Sequence, residues 1–322
     1  MAKKKVAIQG TDSKPMPPIK RTCGAMQQHF QLLETNPSFR KNQVDLEHAC
    51  QLRLRSAAVA RLAPYKITCV VHVVYNPASS AEKISEAQVR SQIAVLNRDF
   101  RATNPDKSKT PAVFSSLVAD PMIEFALATT DPKGQATNGI TYTETTQTSF
   151  GDQGNPVKFK ASGGAAAWNP KKYLNIWVCT LSDGLLGYAQ FPGGPVKSDG
   201  VVILNTAFGT NGSATAPFNL GRTTTHEVGH YFNLRHIWGD TPDCSGSDLV
   251  DDTPNAEDAN FGKPIYPLVS CSNGPNGDMF MNYMDYVDDD SMFMFTPGQV
   301  ARMHATLDGP RKSLLLRKLV GT

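Results

Sequence analysis

The run Thr224–Asp240, Thr-Thr-His-Glu-Val-Gly-His-Tyr-Phe-Asn-Leu-Arg-His-Ile-Trp-Gly-Asp, constrains this chain more than any other stretch. On a helix, positions i and i+4 share one face about one turn apart, so His226 and His230 can reach a single ion. His236 cannot lie on the same straight helix, and the chain must turn sharply to bring it back. Three neutral imidazoles hold Zn²⁺ tetrahedrally and leave a fourth position open, as catalytic rather than structural sites do. Glu227 is then placed to take a proton from a water whose pKa the metal has lowered. A solvated helix that merely carries histidine would need three of the chain's seven His and one Glu on these offsets by accident. The spacing therefore predicts zinc-dependent hydrolysis.

The extended form, H-E-x-x-H-x-x-G-x-x-H followed by a Met-turn, is the metzincin signature. Asn233 stands at its Gly position. Asn enters the left-handed backbone region more readily than most residues, so the turn is expected to form regardless.

At 322 residues the chain can bury a large core, as one large domain or as two subdomains with an extension. Its net charge of +3 is too balanced to argue for a nucleic-acid partner. No apolar run approaches the length of a membrane span. The start, Met1 to Gly10, is basic but has no apolar stretch after it, so no signal peptide is visible. The six cysteines do not decide the compartment by themselves.

Residues 1–60 differ from the rest. Pro15, Pro17 and Pro18 mark an extended lead-in to Lys20-Arg-Thr-Cys-Gly-Ala25. From Ala25 to Arg55 the pattern reads as one or two short helices, split at Asn36-Pro37. Polar positions such as Gln27, Glu34, Lys41 and Asp45 suit a segment lying over a surface. This stretch resembles the pro-segments of secreted metalloproteases that carry a cysteine switch. A thiolate is a soft zinc ligand, so Cys23 could fill the fourth position, with Arg21 contacting a carboxylate and Gly24 allowing a tight approach. The alternative is a Cys23–Cys50 disulfide or an inert thiol.

The globular part begins near Tyr65. The β-branched run Lys66–Tyr75 is a buried strand, and Ser85 with Gln88 forms a capping box that opens a helix. Met122–Ala128, Ile140–Thr145, Tyr173–Cys179 and Gly200–Leu204 read as further strands, with Gly151–Asn169 as loop. Leu185–Pro192 ends in proline and suits a sheet edge. His72 is expected to be a hydrogen-bonded core residue rather than a ligand. Cys69 and Cys179 read as small buried apolar residues, with a bond between them as the alternative.

Beyond His236 the chain turns irregular and acidic. Gly239–Glu257 concentrates hard oxygen donors of the kind Ca²⁺ takes, although a solvated acidic loop is the competing reading. Cys244 and Cys271 flank this loop, and a disulfide closing it would stabilise it by a few kcal/mol. Thr296 and Gln299 form a second capping box at the start of a C-terminal helix.

Together, His226–Asp240, the Cys244–Pro254 loop, the Asn282–Tyr286 turn and the Arg21–Gly24 segment resemble the pappalysin family of metzincins, its ulilysin-like members in particular. Tyr173–Cys179 and Gly187–Pro192 are similar to that family's sheet and rim. The resemblance implies an α/β (α+β) metzincin-like fold. Its parts are a twisted mixed sheet with two long helices, an irregular C-terminal subdomain ending in a helix, and an N-terminal pro-segment. The divisions are 1–60 for the pro-segment, 61–236 for the N-terminal catalytic subdomain and 237–322 for the C-terminal one. It implies zinc ligands His226, His230 and His236, with Glu227 as general base and Cys23 on the zinc in the latent form. Met284 becomes the Met-turn floor, Tyr286 a support for the oxyanion, and Asp248 and Thr253 calcium-loop positions. The expected activity is zinc-dependent endopeptidase, made as a zymogen and secreted, acting on proteins or peptides as a monomer. A catalytically silent zinc domain that binds protein is the alternative.

The three carboxylates after Val287 fall where metzincins build the pocket for the residue following the scissile bond. A buried carboxylate there needs a cation, and Arg offers a bidentate, permanently charged match. By resemblance Asp289 is that residue, with a solvated loop or calcium ligation as the competing account. Arg53, Arg55 and Arg61 lie before the first strand, so self-processing is expected before Arg61 or Arg55.

Overall fold

The computed structural model describes residues 20–55 and 62–315. The lead-in prolines Pro15, Pro17 and Pro18, the basic start and Arg61 lie outside the described residues. Two helices come first, α1 (Ala25–Thr35) and α2 (Pro37–Arg55). Asn36 separates them and caps the second, its Oδ1 accepting from Phe39 N at 3.0 Å. Pro37 at the first helical position loses no hydrogen bond there.

The β-branched run forms β1 (Tyr65–Tyr75), and its eleven residues let it organise the sheet. Helix α3 (Glu86–Asp99) and the single turn α4 (Ala112–Ser115) follow, then β2 (Ile123–Leu127), β3 (Ile140–Glu144) and β4 (Leu174–Cys179). One edge of β1 pairs with β2 along its first half and β3 along its second. The other edge takes β4. Next come β5 (Gly187–Ala189) and β6 (Val201–Leu204), giving the order β2-β1-β4-β6-β5 with β3 beside β1. All pairs are parallel except β5 on β6, which places an antiparallel strand at the edge.

Both faces of this sheet are covered, which is why its strands are apolar throughout. One face packs under α3 and α5 (Arg222–Tyr231) with Val71, Val73, Ile176 and Val228 in a common core. The other packs Trp177, Tyr188 and Val202 under Val157 and Ala165. The loop expected at Gly151–Asn169 thus serves as a lid on the sheet. His72 is buried in β1 with Thr141 Oγ1 at 2.8 Å and Asn175 Oδ1 at 3.0 Å, and burial lowers its pKa to about 4. Cys69 and Cys179 are both buried and free.

The first capping box forms only in part. Ser85 Oγ accepts from Gln88 N at 3.1 Å, but the Gln88 amide donates to Phe208 O at 2.8 Å and to Ser213 Oγ. Tying down a distant buried carbonyl outweighs an exposed helix cap here, because an unpaired buried group is the costlier loss. The second box is complete and opens α6 (Pro297–Asp308). Between α5 and α6 in the chain, β7 (Phe261–Gly262) pairs in parallel with β8 (Tyr286–Val287). Cys244 and Cys271 are joined in a disulfide. The buried Arg302 of α6 grips Glu47 of α2 through both carboxylate oxygens, at 2.9 and 2.8 Å. Among the described residues no helix is long and apolar enough to cross a membrane.

Candidate active site

All ten residues of α5 are buried, so its polar side chains must find partners inside the protein. His226 Nδ1 meets Tyr283 O at 2.7 Å and His230 Nδ1 meets Leu234 O at 2.8 Å. His236 Nδ1 is held by Asp240 Oδ1. Each of these contacts turns the Nε2 atom of its ring to one common point. The three Nε2 atoms lie 3.1–3.2 Å apart. That is close to the roughly 3.3 Å edge of a tetrahedron whose nitrogens sit about 2.0–2.1 Å from zinc. Burial, followed by the neighbouring imidazoles, holds the His226 pKa well below its ordinary value, and burial does the same for His230. Neutral rings with fixed Nδ1 partners are what a divalent ion requires of histidine. The donor set therefore fits zinc.

The turn that returns His236 runs through Asn233, whose φ is +72°. Its N–H donates to His230 O at 2.9 Å, and Leu234 N donates to Gly229 O at 3.0 Å, closing the helix in a left-handed cap. Trp238 then stacks on His236 with centroids 4.4 Å apart. Met284 is fully buried beneath α5, where only a glycine leaves it room: a Cβ on Gly229 would fall 2.5 Å from Met284 Sδ. The head of α5 is held by Arg222, which binds Asp99, Asp106, Tyr283 Oη and Met292 O.

Cys23 joins this site from the N-terminal segment. Its Sγ and the three histidine nitrogens all lie within 4.8 Å of one another. It is also 3.3 Å from Glu227 Oε2. Residues 22–24 run parallel to the edge strand β5, with Gly24 N donating to Gly187 O at 3.0 Å and Leu186 N to Thr22 O at 2.9 Å. Gly24 permits this approach, since a Cβ there would meet Asp152 Oδ2 at 2.9 Å. Gly187 has a matching role, because a Cβ would strike Glu227 Cγ at 2.9 Å. Burial pushes the Glu227 carboxyl up to about 8, against the pull of Cys23 and Arg21. Burial and the nearby Glu227 also raise the Cys23 thiol. Tyr286 Oη accepts from Cys23 N at 3.2 Å.

Arg21 and Asp289 meet two residues before the thiol. The guanidinium Nη2 lies 2.7 Å from Asp289 Oδ1, with both side chains buried. Arg21 also donates to Thr223 Oγ1 and to Val287 O. The second oxygen of Asp289 accepts from Leu220 N at 2.8 Å and Arg222 N at 3.2 Å.

Asp248 and Thr253 sit apart from this centre and adjoin each other, Thr253 Oγ1 donating to Asp248 Oδ2 at 2.8 Å. Among the described residues only Cys23 and the three histidines bring three or more His, Cys, Asp or Glu side chains within reach of one ion, and the acidic loop does not. Asp240, Arg222, Asp99 and Gly187 belong to the site without having been singled out. Asp240 carried a usable signal, standing four residues after His236, whereas the others act through contacts far apart in sequence.

The peptidase M43 family model, described as pregnancy-associated plasma protein-A, matches residues 162–308. An extracellular metalloprotease of Pyricularia oryzae is 32% identical over 289 residues, covering 87% of this chain and 86% of that protein. The chain belongs to the pappalysin family. This pappalysin is a zinc metalloendopeptidase, and its metzincin architecture is also that of its solved relatives. Promirolysin of Tannerella forsythia, in a mutant form, superposes with a TM-score of 0.84 at 46% identity, covering 92% of this chain and 97% of that one. Mature mirolysin in complex with a cleaved peptide gives 0.77 at 50% identity, over 80% of this chain and 97% of its own.

Proposed function

We propose that this pappalysin is a secreted zymogen in which residues 1–60 block the cleft between catalytic subdomains 61–236 and 237–322. One observation carries the reading: Cys23 Sγ shares a 4.8 Å cluster with His226, His230 and His236. These three histidines would hold zinc, and the thiolate of Cys23 would be its fourth ligand in the latent form. When bound, zinc polarises a peptide carbonyl and lowers the pKa of a water. Glu227 takes the proton from that water and returns it to the departing amine. Tyr286, freed of the Cys23 amide, turns its hydroxyl to the developing oxyanion. Met284 supports the histidines from below. The substrate replaces residues 22–24 along the β5 edge, adding main-chain hydrogen bonds. Asp289, relieved of Arg21, receives an arginine from the residue after the scissile bond. The enzyme then processes itself before Arg55 or Arg61.

Cys23→Ala tests this reading. The variant is expected to reach full peptidase activity sooner than wild type in a time course with zinc, because no soft ligand competes for the fourth position. N-terminal sequencing of the products maps the cut. Equal lag times for the two proteins would mean that the pro-segment blocks sterically, without the thiol.

The loop around Asp248 and Thr253 is proposed to bind calcium, with backbone carbonyls completing the shell. Burial pushes the Asp248 carboxyl up to about 7. Without an ion, the folded state then keeps its proton where the unfolded chain has lost it. Stability accordingly falls as pH rises from the ordinary carboxylate range through about 7. Calcium requires the ionised form, so it should raise Tm more at pH 8 than at pH 5.5. Thermal melts with and without a calcium-selective chelator, zinc being retained, check this; identical melts at both pH values would count against the site.

A further inference from the structure

Lys20 and Arg21 leave the cleft in different directions. Arg21 donates from Nε to Val287 O of β8 and turns inward to Asp289. Lys20 turns outward, its ammonium 4.7 Å from the centroid of the Phe261 ring on β7. Phe261 is 38% exposed, so its ring is open to a side chain from outside the fold. It is nevertheless firmly placed. Its backbone pairs with Tyr286, its ring lies 5.9 Å from that of Tyr286, and Asp288 N closes the ribbon on Gly262 O at 2.8 Å.

The surroundings favour a cation. Asp288, Asp289 and Asp290 follow β8, and of these Asp289 points inward to Arg21 while Asp290 is paired with Lys263. Asp288 follows β8 directly, its backbone on Gly262 O, and burial, then Asp290 and Asp289, raise its carboxyl against the pull of Lys263 and Arg21. An aromatic face under a net negative field attracts an ammonium or guanidinium more strongly than an apolar group of the same size.

We propose that Phe261 forms a second specificity subsite, which takes a basic side chain on the substrate residue immediately after the arginine held by Asp289. The inference rests on the Asp289 pocket proposed above. A peptide cut before its arginine must run opposite to the pro-segment, whose thiol lies on the C-terminal side of Arg21. The residue following the substrate arginine is thereby carried away from the zinc ligands and onto the ring that Lys20 occupies. The favoured sequence has two consecutive basic residues on the C-terminal side of the cut.

The test uses the self-processed enzyme with zinc and quenched peptides that differ only at the residue after arginine: lysine, norleucine or glutamate. Wild type should prefer lysine to norleucine by about two- to fivefold in kcat/KM, the size of one exposed cation–π contact. In Phe261→Leu that ratio should fall to about one, and Phe261→Trp should keep it. A flat response in wild type, or an unchanged ratio in Phe261→Leu, overturns the subsite. A second peptide set, with alanine in place of the arginine, reads the Asp289 pocket separately. If arginine selection is intact while lysine preference is absent, only the Phe261 subsite fails. Loss of arginine selection in wild type removes both.

Discussion

Glu227→Ala is expected to bind zinc and melt like wild type while losing peptidase activity by about 10³-fold or more, the range of a positioned general base with its acid role included. The carboxylate is not among the histidine nitrogens that converge, so its loss leaves the metal site intact. It is also buried with its pKa raised by burial, so removing it relieves a desolvation cost rather than breaking an ion pair. Glu227→Gln separates chemistry from packing. It keeps the volume that Gly187 is shaped to admit, and it should be as inactive as the alanine variant. Both proteins should also keep their full length on incubation, because self-processing needs the same proton transfer. Metal content, melting curves, intact mass and peptide turnover together decide the matter. Turnover near the wild-type rate in either variant would take Glu227 out of the mechanism.

How much of this was legible in sequence depended on the range of the interaction. The spacing of His226, His230 and His236 is local, and so is the left-handed turn at Asn233, where the backbone preference of one residue suffices. The strands themselves were readable because they are apolar runs, but the pairing of all but one of them in parallel was not written in any single run. Gln88 shows where local reasoning stops. Its position three residues after Ser85 satisfies the capping-box pattern, yet its amide answers carbonyls more than a hundred residues away. Glu47 with Arg302, and Asp99 with Arg222, are likewise long-range pairs whose members look like ordinary surface charges in sequence. The meeting of Arg21 with Asp289 has the same origin: a carboxylate for Arg21 and a cation for Asp289 were expected, but not that each is the other's partner.

That pair makes the second large effect. Asp289→Asn in the processed enzyme is expected to reduce discrimination for arginine over a neutral residue by about 10²- to several thousandfold, the equivalent of the roughly 3–5 kcal/mol lost when one partner of a buried pair is removed. Asparagine is the informative replacement because the two carboxylate oxygens have separate duties. Oδ2 accepts from Leu220 N and Arg222 N at the head of α5, while Oδ1 faces Arg21. An amide can keep its oxygen on the two N–H groups and must then present its NH₂ to the guanidinium, so donor meets donor. The motif helix keeps its anchor and the pocket loses its acceptor. Zinc content and turnover of a substrate with a neutral residue at that position should therefore be preserved. Alanine would remove both duties at once and could not distinguish them. The same substitution in the zymogen leaves the buried Arg21 without its carboxylate, which weakens the hold of residues 22–24 on the β5 edge. Asp289→Asn should accordingly shorten the lag before activity even though Cys23 is unchanged. Cut sites mapped in a peptide library, together with activation time courses, check the two consequences separately. Undiminished arginine selection in the variant would assign the pocket to another acid.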